Sequence, residues 1–138
     1  MENEVDIIRA LQQGVIAAVA QSDDPDLPVK YLLMDVDIPQ DQKWLELVWI
    51  PNNRQGDFLG NEKNHRGILR LVLHWPNEPT GVYAPVQLLA SITRYFVKGM
   101  LLSNVQIYAK PDIGSLIEDG DDTLFPASIY YNSYRKGA

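Results

Sequence analysis

The chemistry-bearing residues of this chain are few, and their spacing does not combine them. There are two histidines, His65 and His74, and no cysteine. The lack of cysteine removes thiolate nucleophiles, disulfides and cysteine-based zinc sites together. His74 alternates with Leu69, Leu71 and Leu73, as a side chain on the mixed face of a strand does, and His65 falls in a polar stretch. Asp35 and Asp37 share one strand face, where paired carboxylates bind a divalent ion or share a proton. Pro39 follows them at once, so the pair reads as a solvated strand end. The run Glu118-Asp119-Gly120-Asp121-Asp122 has the composition of a calcium loop. It lacks the twelve-residue spacing that ends in a glutamate and reads as a solvated loop. Tyr130, Tyr131 and Tyr134 are suited to stacking on bases, but basic neighbours begin only at Arg135 and Lys136. Aromatic packing or burial at a protein interface is the better reading. There is no P-loop, no dinucleotide glycine fingerprint and no Gly-x-Ser-x-Gly elbow. No enzyme activity, metal or cofactor is expected.

The charge balance narrows the partners. Twelve basic against eighteen acidic side chains leave a net charge of −6. That sign argues against a general nucleic-acid binder. No apolar run approaches the roughly 18–20 residues of a membrane helix, and the opening Met1-Glu2-Asn3-Glu4 is acidic where a secretory leader is basic. The charge is also uneven. Residues 1–41 hold nine acids and two bases, 42–110 four acids and eight bases, and 111–138 five acids and two bases. A basic middle between acidic flanks suits a chain that docks on copies of itself or on a charged partner, unless folding mixes the two signs over the surface.

The most informative segment is a polar stretch over 51–66. Sixteen residues is long for a connection between strands, and loops of that length carry function more often than short ones. This one sets Arg54, Lys63 and Arg66 against Asp57 and Glu62, with Phe58-Leu59 in its middle. An apolar pair in such a loop either folds back onto its own sheet or docks on a partner. Arg54, Phe58, Leu59, Lys63 and Arg66 are the candidate interface residues.

The elements that must hold these residues follow from periodicity. Asn3 is a suitable N-cap for a helix over 3–20, with Val5, Ile8, Leu11, Val15 and Val19 on its apolar face and Ile7, Ala10, Gly14 and Ala17 on an adjacent face. Strands are expected at 29–34, at 43–50 (closed by Pro51), at 67–75, at 104–110 and at 125–134. A second helix opens at Pro85, carries Leu88, Leu89, Ile92, Tyr95 and Phe96 inward and stops at Gly99. Residues 111–123 read as a second, acidic loop. The two strands flanking 51–66 have no helix between them, so they pair antiparallel. The expected fold is a single α+β domain over 1–138: a mostly antiparallel sheet, two helices packed on one face, and a long loop between two core strands. Leu69, Leu71, Leu73, Ile92, Phe96, Ile107 and Ile129 are expected in one core.

In this order the elements resemble the tail terminators of tailed phages. The resemblance is carried by Gly67-Ile68-Leu69-Arg70-Leu71-Val72-Leu73, by the proline turn from Pro76 to Gly81, and by Leu89-x-x-Ile92-x-x-x-Phe96-x-x-Gly99. The strand from Val105 to Tyr108 and the closing Pro126-Ala127-Ser128-Ile129-Tyr130-Tyr131 complete it. It runs over most of the chain and rests on packing patterns, the ordered series being more specific than any one piece.

The resemblance implies a structural virion protein that assembles in the host cytoplasm. Copies form a homo-oligomeric ring, commonly of six, on the end of the tail tube. The ring halts polymerisation of the tube protein and presents the surface that joins the head connector. No catalysis, cofactor, membrane or nucleic acid is implied. Other small head–tail joining and neck proteins share this size and class. A small binding module, or an enzyme working through Asp35, Asp37, His65 or His74, is the alternative of a different kind.

Overall fold

The computed structural model describes residues 4–31, 42–52, 62–76, 83–103, 105–120 and 122–136. The elements run α1 (Glu4–Ala20), β1 (Val29–Lys30), β2 (Trp44–Asn52), β3 (Glu62–Pro76), α2 (Tyr83–Thr93), β4 (Leu101–Leu102), β5 (Val105–Ile107), β6 (Asp112–Ile113), β7 (Ile117–Asp119) and β8 (Asp122–Lys136). One curled sheet has the order β1-β2-β3-β8-β5-β4, with β6 and β7 also hydrogen-bonded to β8. Among the described residues every pairing is antiparallel except β1 with β2. The fold is the single α+β domain that the periodicities imply.

Strand alternation builds the core. Leu45 and Leu47 on β2, Leu69, Leu71 and Leu73 on β3, and Phe125, Ala127, Ile129 and Tyr131 on β8 all point to one face and are buried. Val105 and Ile107 on β5 extend that face. Helix α2 lies over β3 and β8, while α1 packs on α2 and over β4 and β5. Leu88, Leu89, Ile92 and Phe96 supply the helical side of the same cluster. All seven residues expected in one core are in it.

The face of α1 differs from expectation. Ile7, Ala10, Leu11, Val15, Ala18 and Val19 are buried, whereas Val5 and Ile16 are exposed. The inward stripe is therefore rotated from the Val5–Ile8 row toward the small residues, because α1 packs closely on its neighbours. A Cβ on Gly14 would come within 2.9 Å of Leu102 Cδ1 and 3.1 Å of Phe96 Cε1. Glycine in a helix costs about 1 kcal/mol against alanine, and here it admits that contact. The end of α1 is tied to α2 by Gln21, whose Nε2 donates to the carbonyls of Ala18 (2.8 Å) and Ser91 (2.9 Å). Ser91 Oγ in turn accepts from the Asp23 amide at 3.2 Å.

Several boundaries move. Helix α2 begins at Tyr83 and ends at Thr93; turns continue the chain to Gly99, whose φ of +91° suits glycine. Pro51 does not close β2, which runs through it to Asn52. Strand β3 starts at Glu62 rather than Gly67, so Lys63 and Arg66 belong to a strand and not to the loop. The stretch 111–123 is not one loop: β6 and β7 both pair with β8. Pro126 explains the break between them. The Gly114 amide donates to the Pro126 carbonyl at 2.8 Å, so this residue's backbone faces the β6–β7 side. Its missing N–H falls opposite the gap at 114–116, the place where a strand tolerates proline.

Candidate assembly surfaces

Strands β3 and β8 set the geometry. They pair from Glu62↔Lys136 to Pro76↔Asp122, while β2 ends at the pair Asn52↔Arg66. Residues 62–65 of β3 are bonded to β8. Arg54, Phe58 and Leu59 lie outside the described residues, in the connection that starts at this end of the sheet. Lys63 pairs with Arg135 in the ladder. Arg66 is exposed, and its guanidinium carbon lies 5.3 Å from the ring centre of Tyr108, a cation–π contact.

The sheet face opposite the helices presents ordered rows. Ile50, Ile68 and Tyr130 form one, Val48, Arg70 and Ser128 the next, then Glu46, Val72 and Pro126, then Trp44, His74 and Leu124. Each is half-buried or exposed. His74 is occupied here: its Nε2 lies 2.8 Å from Glu46 Oε1, and its ring stacks on Trp44 at 3.9 Å and 10°. The pair ties two adjacent strands across the sheet surface. His65 stands nine residues away along the same strand, roughly 30 Å at about 3.4 Å per residue, so the histidines do not meet. Asp35 and Asp37 lie outside the described residues. The acidic run 118–122 is the β7–β8 hairpin, with Asp119 opposite Asp122 and Gly120 at φ +63° in the turn. Among the described residues no group of three or more acids and histidines is placed to hold a metal.

The tyrosines do not make one stacking platform. Tyr131 faces the core, where its hydroxyl oxygen accepts a 2.7 Å hydrogen bond from Trp49 Nε1. Tyr130 faces the other way, and its hydroxyl donates to Asp112 Oδ2 at 2.8 Å. That bond, with some desolvation and the nearby carboxylate charge, raises the Tyr130 pKa above its ordinary 10.0. The fold favours the neutral hydroxyl, so the stabilisation is complete below about pH 10 and is lost as pH rises through the folded-state pKa. Tyr130→Phe is expected to remove this alkaline sensitivity while changing stability at neutral pH by less than about 0.5 kcal/mol. Denaturant midpoints measured against pH test both statements.

Two surface features were not singled out by sequence reasoning. The first is a groove of about 550 Å³ at the end of α2, walled by Ala90, Phe96 and Val97 and rimmed by Arg94, Lys98 and Lys110. The second is the segment 112–118, exposed throughout, which carries Ile113, Leu116 and Ile117 into solvent. The groove has no local sequence signal, since it forms only where Lys110 and Pro111 come to lie beside residues 90–98. The apolar residues of the segment are visible in the sequence but are masked there by the acids around them.

A small α+β scaffold whose His74, Tyr130 and Tyr131 are engaged by neighbouring side chains, and whose notable features are surface patches, has the build of a structural assembly protein. The family model described as phage tail terminator protein matches residues 6–131, and the chain belongs to that family. It is thus a structural protein of a phage tail and a component of the virion, in a family that works among tail and head components and is not enzymatic. A solved structure named only by a sequence identifier has the same fold, with a TM-score of 0.76, 20% identity and 96% of each chain covered. No curated protein matches the sequence. Among the described residues no helix is long and apolar enough to cross a membrane.

Proposed function

We propose that copies of this chain close into a ring, commonly of six, on the end of the tail tube, and that the ring stops tube polymerisation and joins the tube to the head connector. It does so without catalysis or cofactor, and assembly takes place in the host cytoplasm. The observation that carries the reading is the family match across 6–131, from the first helix to the inward Tyr131 of the last strand. Two features support it. A ring needs two different complementary surfaces on each copy, and the acidic and basic segments of the sequence are of opposite sign. The described ends of β2 and β3, Asn52 and Glu62, lie toward one end of the sheet, and the segment that joins them carries the candidate interface residues Arg54, Phe58 and Leu59.

The test changes that loop. Arg54→Glu with Phe58→Ser is expected to leave the melting temperature nearly unchanged, as surface substitutions generally do. Exposed aromatics and arginines are the usual anchors of interfaces, so the double variant should weaken self-association or docking on tail tubes. In a phage assembly assay the defect is tails of abnormal length, or tails that fail to join heads. Unfolding of the variant would make the loop part of the core. Wild-type assembly would make it a passive linker and move the interface to the sheet face of Arg70, Val72 and His74. Light scattering on the purified chain reads the number of copies.

A further inference from the structure

We propose that the groove at the end of α2 receives the β7–β8 hairpin of a second copy of this chain, with Leu116 and Ile117 entering the groove and the hairpin's acids meeting its basic rim. The inference deepens the ring reading and rests on it.

The groove's lining is mainly apolar: the buried Phe96 and the 57% exposed Val97 both line it. Arg94, Lys98 and Lys110 stand around it, all exposed, and none of them takes part in an ion pair among the described residues. Three cations around an apolar slot select an occupant that is apolar at its centre and acidic at its edges. Residues 112–122 have that composition: five acids, no base, and Ile113, Leu116 and Ile117. Leu116 is 46% and Ile117 53% exposed. The acids follow directly on Ile117, so an aliphatic pair inserted in the slot brings Glu118 and Asp119 to its rim.

The hairpin does not reach the groove of its own chain. Pro111 lines the groove and Asp112 beside it pairs with Ser128, whereas Ile117 pairs with Leu124. Four residues of β8 separate these points, roughly 14 Å at about 3.4 Å per residue. One copy therefore offers a donor patch and an acceptor patch at separate places. That is the requirement for a head-to-tail contact that closes into a ring. Opposite charges at the rim set its orientation and register.

Charge exchange tests the contact. Glu118→Lys with Asp119→Lys reverses the hairpin, and Arg94→Glu with Lys98→Glu reverses the groove. Glu118, Arg94 and Lys98 are exposed, and circular dichroism with thermal melts confirms that each variant folds. Sedimentation of the purified chain up to millimolar concentration reads association. Each variant alone is expected to associate about tenfold more weakly than wild type, or worse. An equimolar mixture of the two should recover association, because each reversed hairpin then finds a reversed groove. The chain carrying all four substitutions should recover it without mixing. Variants that associate as well as wild type, or reversals that do not rescue one another, overturn the contact and leave the ring reading standing. If the wild type stays monomeric throughout, the same variants are read by capping of purified tail tubes, and failure of the four-substitution chain to restore what each pair loses there overturns the contact.

Discussion

Truncation of Leu71 to alanine is expected to destabilise the protein by about 2–5 kcal/mol, the range for deleting a fully buried leucine side chain. Leu71 is 0% exposed and sits at the middle of β3. Its ladder partners are Leu47 on β2 and Ala127 on β8, and Leu69 and Leu73 flank it on the same face. None of these can swing into the vacated volume without leaving its own place in the sheet, so the cavity persists. The loss should appear in the denaturant midpoint with an unchanged slope. A loss below about 0.5 kcal/mol, the scale of ordinary surface substitutions, would mean that this row of β3 does not face the helices.

Substitution of Gly67 by alanine is the second large effect, expected at about 1–3 kcal/mol, as for overpacking a filled interior. Gly67 is buried and pairs with Tyr131 on β8 and Pro51 on β2. The Tyr131 ring lies across it. A Cβ there would stand 2.7 Å from the ring's Cζ and 2.8 Å from the Ile50 carbonyl oxygen. The ring is not free to retreat, because Trp49 Nε1 is bonded to its hydroxyl. Removing the ring with Tyr131→Ala should therefore lower the further cost of Gly67→Ala, a non-additivity that a double-mutant cycle measures. Some cost should remain, since the Ile50 carbonyl belongs to the backbone. If Gly67→Ala is neutral, the ring does not rest on the glycine.

These two residues separate what is legible locally from what is not. Leu71 declares itself by alternation, because a strand sends every second side chain to the same face whatever it packs against. Gly67 is visible as the opening of the β3 motif, but its reason is a tyrosine 64 positions away in the chain. The candidate interface divides in the same manner. Lys63 and Arg66 look like loop residues, since the polar run 62–66 has no apolar alternation. They are strand residues because β8 is long enough to pair with them. The acidic stretch after Pro111 likewise resembles a loop, and it becomes β6 and β7 because β8 offers it an edge on either side of Pro126.

The sequence by itself determined the order of α1, β2, β3, α2, β5 and β8, the inward rows of β3, β5 and β8, and the helical core residues from Leu88 to Phe96. All of these rest on residue type and on spacings of two to four positions, which backbone geometry converts directly into faces. Tertiary structure alone decided which side of α1 is buried, how far the strands run, and where the groove at the end of α2 opens. The turn of α1 toward Ile7, Ala10 and Ala18 depends on how near Leu102 and Phe96 approach Gly14. Strand ends depend on whether a partner continues alongside, since an unpaired strand gains no ladder hydrogen bonds. The groove exists because Lys110 and Pro111, beyond β5, lie beside residues 90–98 at the end of α2, a juxtaposition of two segments that no local period encodes.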